Sequence, residues 1–310
     1  MGSSPGRINT VQCLISHSDS VHFDAIGTKV GRRIVKTTLI LVAEGVWQTP
    51  VASKTLPPYD HTHCYWIDTG QGFILIDTGD GILGTEQLYE AYVALGKPPM
   101  QAVIMTHGHH DHVGGANWAY DQWRTPIWLN FKDWELLPEV LQSASYWQDL
   151  GTVRSKEFWG MELIDAPGHT PGQINLFLPK HRLLFAGDNL LGNSTSVITP
   201  PYGHLRTYLR TLDRLEQYDA QVVLPAHGDV ITNPARYITL YRRHRAERLA
   251  QIRHALKAGP LSAQELAQEL YPGTLQILGA RMILSHLQYL VEEQEITVLE
   301  DGIRYRLTAP

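Results

Sequence analysis

Residues 106–115 read THGHHDHVGG and directly follow the apolar run AVIM at residues 102–105. Between His107 and His112 this stretch carries four imidazoles and one carboxylate. Imidazole and carboxylate are ligands that suit zinc, iron or manganese in proteins. Neighbouring side chains on a turn can also point towards two ions instead of crowding one. The stretch therefore predicts a metal site where a buried strand ends and a loop begins.

Three later motifs also place a metal-ligand type at the end of an apolar run or in a turn. They are PGHTPG at 167–172, LFAGD at 184–188 and VVLPAHG at 222–228, which contain His169, Asp188 and His227. Ligand sites of α/β sheets form beyond the ends of the strands. We therefore expect the four motifs to meet at one edge of a sheet.

Taken together, the motifs resemble the metallo-β-lactamase superfamily, whose HxHxDH motif is present in full as His107, His109, Asp111 and His112. The resemblance runs from about residue 40 to residue 234, and the combination is far more specific than any single motif. The competing interpretation is a set of loop histidines that only make hydrogen bonds. The resemblance implies an α/β fold, the four-layer αββα metallo-β-lactamase sandwich.

The resemblance also implies a site for two divalent metal ions. Its ligands would be His107, His109 and His169 for the first ion, Asp111, His112 and His227 for the second, and Asp188 as the bridge between them. His110 occupies a position that the family leaves variable, and we expect it to face outward. Asp77, in the family signature at residues 76–79, is expected to support the metal loop by hydrogen bonds without touching metal. Zinc is the first choice for both ions, although iron and manganese accept the same ligands.

The chemistry that follows from two adjacent ions is hydrolysis. Ions about 3.5 to 4 Å apart lower the pKa of a shared water enough to give hydroxide near neutral pH. Asp111 would ligate one ion and also orient that water or accept its proton, so that no nucleophilic serine or cysteine is needed. We therefore predict a metal-dependent hydrolase that uses a hydroxide bound to both metals on a small-molecule ester, thioester or lactone.

The choice of substrate depends on an aromatic segment and on charge. Residues 118–159 contain six of the eight tryptophans, of which Trp118 and Trp128 are expected in the core. The group from Trp134 to Trp147 has helical spacing and either packs in the core, the first interpretation, or forms a lid over an apolar acyl group. The net charge of −5, from 26 basic and 31 acidic residues, disfavours nucleic acid as a partner. An endoribonuclease or phosphodiesterase acting on single-stranded RNA is nevertheless the first alternative, because residues 242–253 are rich in arginine. A mononuclear iron sulfur-oxygenase is the second, and His112 and His227 weigh against it.

After residue 234 the sequence pattern changes. It predicts a long helix at 235–257, a second helix opened by a capping box at 262–265, a third at 275–291 and a hairpin around Asp301-Gly302. We therefore divide the chain into a catalytic domain, 1–234, and a small winged-helix-like domain, 235–310. This ending resembles the domain appended in the branch that includes the lactamase-beta-like endoribonuclease group and related bacterial hydrolases. The third helix offers few side chains for DNA, so we expect a cap or a subunit contact, which leaves a homodimer open.

Cysteines and hydropathy bear on location. Cys13 and Cys64 are far apart and lack metal-binding spacing, which favours a reducing compartment. With no candidate membrane span and no signal pattern, the expected location is the cytoplasm. His61 and His63 alternate just before a predicted strand and are interpreted as a polar strand end, with extra ligands or substrate contacts as the alternative.

Overall fold

Two β-sheets packed face to face form the centre of the computed structural model, which describes residues 39–153, 155, 157–271 and 276–308. The first sheet contains, in spatial order, β1 (Ile40–Ala43), β2 (Val46–Ala52), β3 (His61–Asp68), β4 (Phe73–Ile76), β5 (Met100–Ile104), β6 (Ile127–Leu129) and β7 (Trp147–Asp149). The second contains β12 (Val222–Pro225), β11 (Leu183–Gly187), β10 (Ile174–Leu178), β9 (Met161–Asp165) and β8 (Glu157–Phe158).

Helices α1 (Thr85–Ala94) and α3 (Ala116–Trp123) pack on the outer face of the first sheet, and α5 (Leu205–Leu215) and α6 (Pro234–Ala255) on that of the second. The other helices are α2 (His110–Val113), α4 (Glu139–Gln142), α7 (Ala263–Leu270) and α8 (Gln276–Glu292). Strand β3 shows how the layers are specified, because successive side chains of a strand point to opposite faces. Tyr65 and Ile67 lie in the core between the sheets, whereas Cys64 and Trp66 pack with α1 and α3. The αββα architecture predicted from the sequence is therefore confirmed.

The C-terminal helices begin at the expected signals. The Asn233 side chain accepts a bond from the Arg236 backbone at the start of α6, and Ser262 and Glu265 form the predicted capping box of α7. The hairpin strands β14 (Ile296–Val298) and β15 (Arg304–Leu307) pair with each other, and β13 (Leu261–Ser262) pairs with β15. One hydrophobic cluster runs from Ile164 in β9 to these helices. The division at 234/235 and the winged-helix-like assignment stay predictions.

The aromatic segment packs in the two cores. Trp118, Trp123, Trp134 and Trp147 belong to the core beneath α1 and α3, and Trp128 and Trp159 pack against the core between the sheets. None of the six is exposed. The six tryptophans therefore pack in the two cores. Trp134 and Trp147 do not form the lid that was the alternative in the sequence.

Two further expectations from the sequence concern the cysteines and membrane-spanning segments, and they can be compared only with the described residues. Cys13 lies outside them, while Cys64 is a buried free thiol. Within the described part of the chain, no helix is both long enough and apolar enough to cross a bilayer.

The buried His286 of α8 should make stability depend on pH. Its Nδ1 donates to the Met282 carbonyl at 2.8 Å, and burial together with the charge of Arg245 lowers its pKa from 6.5 to about 3. The unfolded chain would take up a proton near pH 6.5, whereas the folded chain would do so only near pH 3. The stabilisation is therefore complete above about pH 6.5 and is lost as the pH falls towards 3.

We expect His286→Leu to flatten this dependence. The free energy of unfolding should change by up to about 1.4 kcal/mol less per pH unit between pH 6 and 4 in the variant than in the wild type. Urea unfolding at several pH values measures it, and His254→Leu, a change at an exposed position of α6, is the control. Equal slopes for the wild type and His286→Leu would contradict the assignment.

Candidate metal centre

Asp77, directly after β4, fixes the loop that follows β5. Its backbone is in the left-handed region, with φ at 59°. One carboxylate oxygen accepts the Thr106 backbone N–H at 2.8 Å, and the other accepts the Thr106 hydroxyl at 2.9 Å and lies 2.8 Å from His112 Nδ1. These bonds hold the loop and its first histidines against the end of the sheet.

All seven candidate ligands come together in two adjacent groups. The first consists of His107, His109, His169 and Asp188, and the second of Asp111, His112 and His227. Within each group the ligand atoms lie within 4.8 Å of one another. His109 Nδ1 is 2.9 Å from both His107 Nε2 and His169 Nε2.

Asp188, at the end of β11, lies between the groups. Its Oδ2 is 3.5 Å from His169 Nε2 in the first group. Its Oδ1 is 3.5 Å from His112 Nε2 and 3.4 Å from His227 Nε2 in the second. The two oxygens of one carboxylate therefore face different groups, an arrangement that would allow Asp188 to bridge two ions.

Unpaired buried atoms test whether these residues fit metal ions. His112 Nε2, His227 Nε2 and Asp188 Oδ1 are buried and have no hydrogen-bond partner among the described residues. Buried polar atoms without partners are costly, and native proteins rarely leave them so. Nitrogen and carboxylate oxygen atoms converging in this way match the ligand preferences of divalent zinc, iron and manganese, so the residues fit two such ions.

The histidines of the first group are suited to bind metal as neutral ligands. Burial holds the pKa of His107 well below its ordinary value and also lowers that of His109. Burial lowers the pKa of His169 to about 4. A ligand that is already neutral at pH 7 has no proton to release when a metal binds.

In the second group, neighbouring charges outweigh burial in setting the pKa values. Burial alone would lower the pKa of His112 and His227, but nearby carboxylates, Asp188 above all for His227 and Asp77 for His112, raise both. Burial likewise opposes the ionised forms of Asp111 and Asp188, yet the adjacent histidines keep both pKa values below the ordinary range. The two carboxylates are therefore ionised, as metal ligands must be.

Backbone carbonyls orient two of the rings. His169 Nδ1 donates to the Val197 carbonyl at 2.8 Å, and His227 Nδ1 donates to the His61 carbonyl at 2.8 Å. A carbonyl oxygen can only accept, so each ring keeps its hydrogen on Nδ1 and presents a lone pair at Nε2. Proteins commonly fix metal-ligating histidines in this way.

Asp133 joins two ligand loops and was missed in the sequence. Its Oδ2 accepts the Gly108 N–H at 2.9 Å and the Thr170 hydroxyl at 2.6 Å, and its Oδ1 accepts the Gly172 N–H at 2.5 Å. A Cβ at Gly108 or Gly172 would lie less than 3.0 Å from atoms of Asp133, so glycine gives this carboxylate room. The carboxylate therefore connects the loop of His107 and His109 to the loop of His169.

Helix α6 holds a third loop, at residues 191–196, from one face. Tyr237, Tyr241 and Arg245 are spaced by four residues, which places them on the same side of the helix. The Tyr237 hydroxyl accepts from the loop backbone at 2.8 Å, Tyr241 both accepts at 2.7 Å and donates at 2.7 Å, and the Arg245 guanidinium donates to a loop carbonyl. Since the carbonyl that orients His169 follows at residue 197, the C-terminal region supports the metal centre.

The arginine-rich stretch of α6 is largely paired within the protein. Arg242 binds Asp213 and Glu216 at 2.7 and 2.8 Å. Arg253 makes two bonds to Glu295, at 2.5 and 2.8 Å. Paired and buried guanidinium groups are poorly placed to bind phosphates, so the stretch does not form an open basic surface.

Of the histidines near the metal motifs, His61, His63 and His110 lie outside the two groups. His110 is exposed beside its ligating neighbours. His61 and His63, at the start of β3, approach each other with their Nε2 atoms 2.9 Å apart. His63 is buried, and burial lowers its pKa to about 3.

The fold, and a cluster of histidines and carboxylates suited to divalent ions, define a metal-dependent hydrolase. The chain belongs to the metallo-β-lactamase superfamily, whose family model matches residues 58–227. It is 29% identical over 217 residues to the Beta-lactamase-like protein 2 homolog of Caenorhabditis elegans, covering 68% of this chain and 70% of that protein. It is 29% identical over 196 residues to the Atrochrysone carboxyl ACP thioesterase dmxR1 of Cryptosporiopsis sp., covering 63% and 58%. A beta-lactamase domain protein from Burkholderia ambifaria has the same fold, with a TM-score of 0.75, 21% identity and coverage of 87% and 93%.

Proposed function

We propose that this protein hydrolyses a thioester of a small molecule with an apolar acyl group, using two divalent metal ions. The observation that carries the proposal is Asp188, whose two oxygens face two adjacent ligand groups at 3.4 to 3.5 Å. The ligands would be divided as the resemblance implies, and zinc is the ion we expect first. Esters and lactones are the neighbouring substrate classes, because the same nucleophile attacks all three carbonyls.

Two observations support the thioester. Proteins named as ACP thioesterases, such as the one from Cryptosporiopsis sp., are among the relatives of this chain. In addition, Leu56, Ile82 and Leu83 are exposed, at 48%, 63% and 52%. The Asp80 carboxylate accepts backbone N–H bonds from Lys54, Ile82 and Leu83 at 2.9 to 3.0 Å and so joins their two loops. The Gly81 backbone lies close to that of Gly114, just beyond α2, so the loop that carries Ile82 and Leu83 lies near the proposed metal site.

The metal ions and the surrounding carboxylates would have different roles in hydrolysis. When bound, the two ions would supply a hydroxide nucleophile near neutral pH and polarise the carbonyl oxygen of the substrate. Asp111, ionised and with its Oδ2 3.4 Å from His227 Nε2, would orient the attacking water and accept its proton. Asp77 and Asp133 would keep the ligand loops in place.

The alternatives have less support. A nuclease needs free cationic side chains along a phosphate chain, whereas Arg242 and Arg253 are bound to carboxylates. A mononuclear iron oxygenase would not need the second group, in which Asp111, His112 and His227 converge.

A substrate panel tests the proposal. The metal-loaded protein is given an acyl-pantetheine thioester with a long apolar acyl chain, a homoserine lactone and a single-stranded RNA, at low and high salt. We expect thioester turnover that changes little with salt, that a chelator abolishes and that added zinc restores. Cleavage of RNA with affinity falling steeply as salt rises would favour the nuclease instead. Turnover that survives complete metal removal would refute the mechanism.

A further inference from the structure

We propose that His61 and His63 form an auxiliary binding site for a third transition-metal ion, of the kind that imidazole ligands prefer, beside the two-metal centre. They lie two residues apart at the start of β3, so their side chains project from the same face of the strand. Their Nε2 atoms are 2.9 Å apart. This equals the separations between ring nitrogens of His107 and His109 and of His109 and His169 in the two-metal centre.

The hydrogen-bond partners of the two rings fix where their hydrogens are. His61 Nδ1 is 2.7 Å from the Asp60 carboxylate, and His63 Nδ1 is 3.3 Å from the Pro225 carbonyl. The Asp60 carboxylate can only accept, so His61 Nδ1 carries a hydrogen and His61 Nε2 presents a lone pair. The Pro225 carbonyl, which also accepts the Tyr65 hydroxyl at 2.7 Å, favours the same tautomer at His63, in which the two Nε2 lone pairs face each other. Two lone pairs at this distance repel unless a cation lies between them, either a proton or a metal ion.

The surroundings favour a metal ion over a proton. An oxygen behind each ring is the arrangement by which proteins orient metal-ligating histidines, and His169 and His227 show it in the two-metal centre. The alternative is a direct hydrogen bond between the two Nε2 atoms, but a hydrogen on His63 Nε2 would leave a bare His63 Nδ1 facing the Pro225 carbonyl oxygen, lone pair against lone pair.

The distances between the atoms also suit an ion. With nitrogen-to-metal bonds of about 2.0 to 2.1 Å, nitrogens 2.9 Å apart subtend roughly 90° at the ion. That angle is typical of six-coordinate ions, and moving the rings apart by about 0.4 Å gives the tetrahedral angle. The remaining positions would be open to water or to a ligand. The side chain of His61 is 34% exposed, which gives an ion access.

The pair is separate from the two-metal centre. His227 directs its Nε2 towards Asp111 and Asp188, whereas its Nδ1 donates to the His61 carbonyl. The His61 backbone carbonyl therefore lies on the side of the His227 ring away from Asp111 and Asp188. With two protein ligands against three or more in each group of the centre, the auxiliary site should bind its ion more weakly.

Metal counting on the holoenzyme tests this inference. The wild type, His61→Ala and the control His110→Ala, another histidine with an exposed side chain, are dialysed against rising concentrations of free zinc and analysed for metal. We expect a weaker third equivalent in the wild type and in His110→Ala, and its loss in His61→Ala, with the tightly bound metal unchanged. Asp60→Asn should weaken the third equivalent without abolishing it.

Nuclear magnetic resonance on protein labelled with nitrogen-15 in histidine adds a direct readout. As the third equivalent binds, the Nε2 signals of two further histidines should shift. In His61→Ala one of these signals is absent, and the signal of His63 should no longer shift. The proposed site would be overturned if the wild-type protein became saturated with zinc at two equivalents. It would also be overturned if His61→Ala still bound a third equivalent. Nε2 signals showing a shared proton at neutral pH, unaffected by zinc, would do the same.

Discussion

Replacing Asp188 with asparagine should reduce the bound metal from two equivalents to one or fewer and should slow thioester hydrolysis by about 10³-fold or more. The carboxylate places one oxygen 3.5 Å from His169 and the other 3.4 Å from His227, so it serves both ligand groups. Asparagine keeps the shape but removes the charge, and its amide nitrogen would direct hydrogens at one ion. Elemental analysis and steady-state kinetics on the same preparation measure both effects.

Asp229→Asn is the matched control, because this exposed carboxylate follows the ligand His227 by two residues. It should keep both metals and its hydrolysis rate should stay within a factor of two to three of the wild type. Two retained equivalents and near-normal turnover in Asp188→Asn would show that the carboxylate does not bridge the ions.

Asp133→Ala should lower metal affinity by about 10- to 100-fold and also destabilise the fold. The substitution leaves two backbone N–H groups and the Thr170 hydroxyl without their acceptor, and each unsatisfied buried group costs about 1 to 3 kcal/mol. The loops of His107 and His169 would then lose their common anchor. Competition with a chromogenic chelator gives the metal affinity, and urea unfolding of the metal-free protein gives the stability.

The nearby Asp149→Ala separates this effect from the general loss of an acidic side chain. Asp149 also accepts two backbone N–H bonds, from Phe131 and Gly151, but these contacts are exposed and do not reach a ligand loop. Metal affinity should be unchanged in this variant. If Asp133→Ala bound metal as tightly as Asp149→Ala, the positioning role of Asp133 would be wrong.

The candidate ligands could be proposed from the sequence because each stands in a short motif, at the end of an apolar run or in a turn, that resembles a motif of the superfamily. His169, Asp188 and His227 are distant in the chain, yet the pattern of strand ends was enough to expect them at one place, and the structure brings them there. The helix starts were equally local, since the capping box of Ser262 and Glu265 needs four residues. Features of this kind can be predicted from a single sequence because they depend on only a few neighbouring residues.

Asp133 and Tyr241, unlike Asp77, could not be predicted as supporting residues, because no motif marks them and their partners are far away in sequence. Asp133 lies in an aromatic segment without any ligand pattern, and its bonds reach 25 to 39 residues along the chain. Tyr241 reaches a loop about 50 residues earlier. For the tryptophans, the sequence could not distinguish a lid from core packing. Their burial in the structure shows that they pack in the cores.

Metal content should be measured on the purified wild type and on His107→Ala, after dialysis that removes weakly held ions. We expect two tightly bound equivalents of a divalent metal in the wild type, and a loss of metal together with thioester turnover in His107→Ala. About one equivalent of iron in the wild type, with no hydrolysis of any ester, thioester or lactone, would contradict the two-metal hydrolase and would favour the mononuclear iron enzyme.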